Sequence, residues 1–273
     1  MPNTLIYLFC GLCKNTQVEK ILFRTRKPVW NILETGSFQL ILANAQRIKN
    51  VPGRKTDVKD AEWIGQLLRS GLIEGSFVPP VEIRNLRDLT RYRKKLLQDT
   101  TQEKNRIHKV LQDANIKMTT YISDIFGVSG RNIIECLLNG EVITAETITK
   151  MVKGKIRSKV PGLVDALNNR LKVHHREMIR FSWRHLQYLE RTILEVEVII
   201  EQCLNPYRQD VELLDSIPGV GYTASAVMIA ELGTDMSVFP TDRHVSSWAG
   251  VSPGNNESAG KKKELALRQG IKR

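Results

Sequence analysis

Hydrophobic residues in the middle of the chain follow a helical period. The segment from Val81 to Ile116 has no glycine or proline, and its apolar residues recur mostly at steps of three and four. They are Ile83, Leu86, Leu89, Leu96, Leu97, Ile107, Val110 and Leu111. A second stripe, from Leu171 to Leu204 with Pro206 just past its end, contains Met178, Trp183, Leu186, Leu189, Ile193, Val196 and Ile200. The pattern predicts two long amphipathic helices, which form an antiparallel pair or an oligomeric coiled coil.

Shorter elements separate and precede these helices. Tyr121 to Leu171 reads as a smaller helical insertion, broken by Gly127, Gly130, Gly140 and Pro161-Gly162. Phe38 to Ala43 predicts a buried strand and Thr56 to Ser70 a helix, so that the two form a βα unit. Leu5 to Cys13 is read as a strand or an unstructured end. We therefore expect a mainly α fold with a small α/β part.

Composition restricts the class of protein. The 273 residues are 41% hydrophobic, which allows a real core, and 41 basic against 29 acidic residues give a net charge of +12. Such an excess favours a polyanionic partner: nucleic acid, an anionic membrane surface or an acidic protein. Four scattered cysteines do not make a disulfide framework, so a reducing cytoplasm is expected. The longest apolar stretch covers about nine residues, whereas a spanning helix needs about 20, so we expect no membrane segment.

The positive charge is concentrated in two places. From Arg84 to Val110, nine basic and three acidic residues give +6, and from Lys261 to Arg273, six basic residues and one acidic residue give +5. Both segments are candidates for contacts to a nucleic-acid backbone. The candidate residues are Arg84, Arg87, Arg91, Arg93, Lys94 and Lys95 on the helix, and Lys261, Lys262 and Lys263 near the end.

Two aspartates stand at the head of the predicted Thr56–Ser70 helix. Asp57 and Asp60 are three residues apart and so share a helix face, where they can present two carboxylates to one divalent cation. The same spacing is close to a capping box, and acids stabilise the first turn of any helix. Spacing alone leaves both interpretations open.

A glycine-rich turn and a serine-containing loop follow the second long helix. Gly219 and Gly221, within Ile217-Pro-Gly-Val-Gly221, fit a helix-hairpin-helix module that offers backbone N–H groups to phosphate, although a plain turn between helices also uses glycine. Ser258, followed closely by three lysines, is a candidate nucleophile aided by cationic neighbours. Taken alone, it is equally an ordinary loop serine.

Together these motifs resemble one family. Lys27-Pro-Val-Trp30, Val51 to Trp63 and Gly75 to Pro80 resemble the N-terminal part of transposases of the IS110/IS1111 insertion-sequence family. Ile217 to Gly221 and the block from Trp248 to Lys261 resemble the C-terminal transposase domain of the same family. The blocks occur in the family's order, and their combination is more specific than any one of them.

The resemblance implies a function and a domain plan. It implies an incomplete RuvC-like domain of RNase H fold at 1–80, a helical coiled-coil region at 81–205 with an insertion at about 118–170, and a C-terminal transposase domain at 206–273. Asp57 and Asp60 take the third and fourth places of an Asp-Glu-Asp-Asp site for Mg²⁺, and Ser258 takes the nucleophilic serine. The implied partners are DNA, a structured guide RNA and further copies of the chain, in a bacterial or archaeal nucleoid.

The sequence also departs from the family. Residues 1–26 do not match it: the family's first aspartate and its glutamate have no counterpart, and Glu19 is the sole acidic residue before Lys27. The chain stops 15 residues after Ser258, whereas the family's domain continues. We therefore expect a copy shortened at both ends, through a frameshifted, truncated or misassigned start, that does not complete transposition.

Two rival interpretations remain open at this point. In the first, the chain is a non-catalytic protein that binds DNA or RNA or other subunits, and Asp57 and Asp60 merely cap a helix. In the second, the hairpin and the paired acids belong to a DNA-repair junction nuclease, against which the Ser258 block argues.

Overall fold

The chain divides into two compact units in the computed structural model, which describes residues 4–9, 20–21, 26–36, 39–44, 57–73, 75–167, 171–249, 251, 257–258 and 261–262. One unit, called here the mixed unit, joins residues 1–80 to residues 235–273. The other, the helical unit, consists of residues 81–234. The first boundary follows Pro80, and residues 206–234 belong with the long helices instead of with the C-terminal residues.

The elements of both units are numbered here along the chain. They are β1 Thr4–Phe9, β2 Lys20–Ile21, α1 Arg26–Glu34, β3 Gln39–Asn44, α2 Asp57–Arg69, α3 Val81–Asp113, α4 Val128–Asn139, α5 Ala145–Met151, α6 Val160–Leu167, α7 Val173–Leu204, α8 Arg208–Asp215, α9 Tyr222–Leu232, α10 Asp242–Ala249, β4 Glu257–Ser258 and β5 Lys261–Lys262. Helix is by far the commonest state in the described part of the chain, as expected.

The two long helices, α3 and α7, pack side by side as an antiparallel pair. Three polar contacts between them fix the register. Arg93 Nε donates to Glu197 at 2.7 Å, Glu103 Oε1 lies 2.9 Å from Nδ1 of His185, and Asp113 Oδ2 lies 3.1 Å from Nε2 of His175. As the residue number rises on α3, it falls on α7. Of the two arrangements that the sequence left open, the antiparallel pair is present within this chain.

The buried stripe of α3 includes polar positions, so its apolar residues mark only part of the buried face. Thr90, Thr100 and Glu103 are buried together with the apolar residues of the stripe. Leu97 and Met178, which the periodicity assigned to the two stripes, are instead exposed. The stripe rotates around each helix because 3.6 residues per turn do not divide evenly into a repeat of seven, so single apolar positions leave the interface.

The antiparallel pair of α3 and α7, called here the long-helix hairpin, has a separate hydrophobic core at each end. At one end, Ile107 and Leu111 of α3 and Trp183 of α7 pack with the residues of α4, α5 and α6 that point inward. At the other end, Leu86 and Ile200 pack with residues of α8 and α9. The insertion is therefore a cap built on one end of the hairpin, and α8 and α9 cover the other.

The mixed unit contains a three-stranded antiparallel sheet of order β2-β1-β3. In its longest pairing, Ile6 lies opposite Leu42, and the backbone N–H of Ser76 donates to the Leu42 carbonyl at 2.6 Å. Helix α2 buries Ile64 and Leu67. The strand and helix expected at 38–43 and 56–70 are present, each with ends shifted by one residue, and the N-terminal apolar stretch supplies β1.

An aromatic cluster joins the two parts of the mixed unit. The ring of Phe77, just before α3, meets Phe239 edge-on with 5.6 Å between centroids. Phe239 in turn meets Trp248 of α10 at 5.8 Å. Rings at these distances and angles attract one another beyond the area that they bury. The cluster thus ties the segment that follows α2 to the helix that precedes β4.

Candidate active site and nucleic-acid surfaces

Helix α2 begins at Asp57, and Asp60 lies in its first turn. The structure describes the backbone of these two residues but not their side chains. Helical periodicity puts positions 57 and 60 in line with Ile64 and Leu67, which are 1% and 3% exposed. Positions 57 and 60 are therefore in register with the buried positions of α2, and a role for the two aspartates in a metal site stays a prediction.

Ser258 lies in a short antiparallel pair of strands. Its partner across the pair is Lys261, and Glu257 pairs with Lys262. The backbone register thus puts positions 258 and 261 directly opposite one another. Lys263, also expected to bind nucleic acid, lies outside the described residues. The two-stranded pair and α2 belong to the same mixed unit.

The described residues do not form a complete metal site. No group of three or more His, Cys, Asp and Glu residues in the described part of the chain has a suitable geometry. Positions 57 and 60 supply two carboxylates on one helix face, whereas a Mg²⁺ ion poised for phosphoryl chemistry is held by several oxygen ligands besides water. Two carboxylates alone do not make such a site.

The glycine turn connects α8 to α9 in the helical unit. Gly219 has φ +88°, in the left-handed region that only glycine adopts without strain. Gly221 has φ −93°, an ordinary value, and precedes the first residue of α9. A methyl group added at either position meets no heavy atom within 4 Å. Gly219 is therefore explained by the turn itself, whereas Gly221 is free to serve close approach of a partner.

Charge around this turn is unfavourable for phosphate. Residues 205–234 contain one basic and four acidic residues, or −3. The N-terminus of α9 opens onto a groove of about 420 Å³ whose lining includes Glu201, Tyr222 and the paired Arg93 and Glu197. Burial raises the pKa of the Tyr222 hydroxyl, and the negative charge of Glu201 raises it further. The net negative charge of residues 205–234 disfavours the backbone of a nucleic acid, so the plain turn explains this motif better.

Half of the six basic residues predicted on α3 bind acceptors on other helices of the protein. Arg87 donates to the carbonyl oxygens of Ala230 at 3.0 Å and Glu231 at 2.6 Å, at the C-terminal end of α9. Arg91 makes two bonds of 2.9 Å to the Glu231 carboxylate. Arg93 is the residue that bonds Glu197. These arginines hold α7 and α9 against α3, and nucleic-acid binding by them stays a prediction.

The other three cations differ from one another. Lys95 pairs with Asp99 one turn along the same helix, at 2.9 Å, and Arg84 also interacts within the protein. Lys94 is exposed and has no acidic partner in the described part of the chain. Burial lowers the pKa of the Arg87 guanidinium, as expected of a structural cation. The charge total on α3 therefore overstates the positive charge that it offers to a ligand.

Sequence reasoning missed a third basic segment, in the insertion. Lys150 to Lys159 contains five basic residues and no acidic one. Lys153, Arg157 and Lys159 are exposed. The same local charge count that singled out α3 identifies this segment when it is applied to the insertion.

No helix in the described part of the chain has the length and apolar character needed to cross a bilayer. The expectation of no membrane segment rested on the same property of the sequence.

Two family models match the chain. A transposase model of DEDD type from the IS110 group matches residues 21–116. The model of the transposase IS116/IS110/IS902 family matches residues 211–272. A search of curated proteins returns no significant match.

These matches define the class of protein. The chain is a transposase, and proteins of this class move DNA. It belongs to the IS110 family of insertion-sequence transposases. Proteins of the DEDD class generally use divalent metal ions. The first match ends with α3 and the second begins within α8, so residues 117–210 lie outside both.

Proposed function

We propose that this chain is a DNA recombinase of the insertion-sequence type, in which Ser258 is the nucleophile and Asp57 and Asp60 are its two active-site carboxylates. The observation that carries the proposal is the pairing of Ser258 with Lys261 in the unit that also contains α2.

In the proposed reaction, Ser258 Oγ attacks a phosphorus atom of the DNA backbone. A bond from Oγ to phosphorus forms as the bond from phosphorus to the leaving sugar oxygen breaks, and the serine proton is transferred through solvent to that oxygen. The ammonium of Lys261 stabilises the additional negative charge on the phosphoryl oxygens. Attack by the hydroxyl of a second DNA end reverses these steps, releases Ser258 and joins the new strand.

We propose that this copy binds DNA but does not complete strand exchange. Two carboxylates position a divalent cation poorly, and Glu19 is the sole acid ahead of Lys27. The expected result with Mg²⁺ and the ends of the element is salt-dependent DNA binding without joined product. Joined product that depends on Ser258 would overturn the claim of inactivity.

The nucleophile is tested with a substrate that does not need the missing acids. DNA in which sulfur replaces a bridging oxygen at the cleaved phosphate has a thiolate leaving group, which departs without protonation. We expect the wild-type chain to form a covalent adduct with such DNA, with the sulfur placed in turn at each bridging position. Ser258→Ala abolishes the adduct and Ser252→Ala, in the same block, retains it. An adduct that persists in Ser258→Ala would refute the assignment.

We also propose a structured RNA and further copies of the chain as partners, because the motifs resemble those of a family that uses both. The measurements are co-purification of a defined RNA and the mass of the particle in solution. If the purified chain is a monomer that carries no RNA, both proposed partners are refuted, while the assignment of Ser258 as the nucleophile is unaffected.

One alternative function has an observation in its favour. Helix α2 begins at Asp57, and acids stabilise the first turn of any helix, which agrees with a non-catalytic protein that binds nucleic acid or other subunits and in which these acids cap a helix. Asp57→Ala distinguishes the two functions. With the bridging-sulfur DNA, it lowers metal-dependent adduct formation if Asp57 belongs to a site, and lowers only stability, by about 1 kcal/mol, if it caps α2.

A further inference from the structure

We propose that the Lys150–Lys159 segment of the insertion binds the phosphate backbone of a nucleic-acid duplex. The inference rests on the proposed function only in that the protein binds nucleic acid. It assigns that binding to residues that neither family model covers.

The segment is fixed to the core at three points. Val152 is fully buried, Val160 is 4% exposed, and Ile156 between them packs against the same core. Residues 154–159 form a short 3-10 helix that begins at Gly154, where φ is +63°. The apolar anchors recur every fourth residue, so the chain between them is held against the insertion. A segment held in this way presents its polar residues at defined positions.

The cations of the segment are available to a ligand. Lys150 pairs with Glu146 at 3.1 Å, but Lys153 and Lys159 have no acidic partner in the described part of the chain. Arg157 donates through Nε to the Val152 carbonyl at 3.4 Å, which leaves its terminal nitrogens for other acceptors. In this respect the three cations differ from the arginines of α3.

The spacing suits a duplex backbone. A 3-10 helix rises about 2 Å per residue, so Lys153 and Lys159 are about 12 Å apart along the segment. One strand of a duplex carries about three phosphates over that length of its axis. Three exposed cations therefore match the phosphates of one strand without any contact to bases.

Opposing charge nearby is small. From residue 145 to residue 167 the acids are Glu146 and Asp165, against five basic residues, so the region keeps a charge of +3. By contrast, residues 205–234 at the other end of the hairpin carry −3. Within the helical unit, the insertion is therefore the end to which a polyanion is attracted.

The test compares two triple variants of the whole chain in a salt titration of duplex binding. The first neutralises the three exposed cations of the segment (K153Q/R157Q/K159Q). The matched control neutralises three exposed arginines of α7 and α8 and so changes the net charge equally (R184Q/R191Q/R208Q). Each lost phosphate contact removes about 0.9 from the slope of log affinity against log salt. We expect the slope of the first variant to be smaller than that of the wild type by about 2.7, and the control to keep the wild-type slope.

Duplex DNA and duplex RNA of equal length are titrated in parallel. The duplex for which K153Q/R157Q/K159Q has the smaller salt slope is the one that the segment binds. Equal losses in the two variants, or no loss in either, would overturn the inference. Far-UV circular dichroism shows that each variant is folded. A wild-type slope near zero would refute the proposed function itself, whereas a steep wild-type slope that K153Q/R157Q/K159Q preserves would refute only the inference.

Discussion

Replacing Arg87 by methionine distinguishes a structural arginine from one that binds DNA. The methionine keeps most of the apolar stem that packs in the hairpin but removes the guanidinium. In the wild type that group donates to two carbonyl oxygens at the C-terminal end of α9, at 3.0 and 2.6 Å, and its side chain is 15% exposed. The change therefore removes the clamp that holds α9 against α3.

The expected loss follows from these contacts. A hydrogen bond from a charged donor contributes about 1.5 to 3 kcal/mol. Because water can reach the end of a helix and replace part of the interaction, we expect the two bonds together to contribute about 2 to 3 kcal/mol. Arg93 provides a matched control: its pair with Glu197 is more exposed, at 22% and 39%, so its replacement by methionine costs about 0.5 to 1 kcal/mol.

The assay is urea unfolding followed by the helical signal in circular dichroism, together with the salt dependence of DNA binding. We expect Arg87→Met to lower the free energy of unfolding more than Arg93→Met and to leave the salt slope unchanged. If the guanidinium instead contacts phosphate, stability changes little and the slope falls by about 0.9. That second pattern would refute the conclusion that Arg87 holds α9 against α3.

Three other outcomes follow from the helical unit. Gly219→Ala costs about 1 to 2 kcal/mol in urea unfolding because its φ is +88°, whereas Gly221→Ala, at φ −93°, stays within about 0.5 kcal/mol; equal costs would contradict this account of the turn. Glu103→Leu unfolds at a higher temperature than Glu103→Gln, because leucine removes a buried polar group whose two partners, Arg106 and His185, are exposed enough to return to water. The reverse order would show that the contacts of Glu103 stabilise the pair of long helices. Burial raises the pKa of the Cys136 thiol, with Glu141 adding to the shift, so the thiol stabilises the fold below its unfolded pKa and that contribution disappears as the pH rises through the folded value. At pH 8, in a chain whose two N-terminal cysteines are replaced by serine, iodoacetamide should therefore label Cys203 before Cys136, and equal rates would count against the burial.

The long helices could be predicted from sequence because a single physical signal dominates them. Apolar residues at helical spacing, with no glycine or proline, predicted helices at 81–116 and 171–204, and the structure has them at Val81–Asp113 and Val173–Leu204. Which of the two expected arrangements they adopt, an antiparallel pair or an oligomeric coiled coil, could not be predicted. It depends on cross-helix contacts such as Glu103 with His185, between residues 82 positions apart, and the buried polar positions concealed part of the interface.

The candidate site was predictable where chemistry is local. The start of α2 at Asp57 follows from the preference of helix N-termini for acids. What the sequence does not show is the partner of each charge. Arg87 counts as a surface cation in the sequence, but its acceptors lie on α9, 143 and 144 residues away. A charge total measures how many cations a segment has, and only the fold decides how many remain for a ligand.

The pairing of charges within the fold changes how the net charge of +12 is interpreted. In the helical unit, residues 114–172 carry nine basic and five acidic residues, or +4, and residues 205–234 carry −3. The two ends of one hairpin thus have opposite sign, and the arginines of α3 near the acidic end are bound to its carboxylates and carbonyls. A polyanion near this unit is drawn to the insertion and repelled from the glycine turn, because charges of one sign focus the field within about a Debye length, roughly 10 Å. Because the arginines near the acidic end hold α9, we expect the insertion, together with exposed Lys94 of α3, to supply cations that bind nucleic acid in this unit.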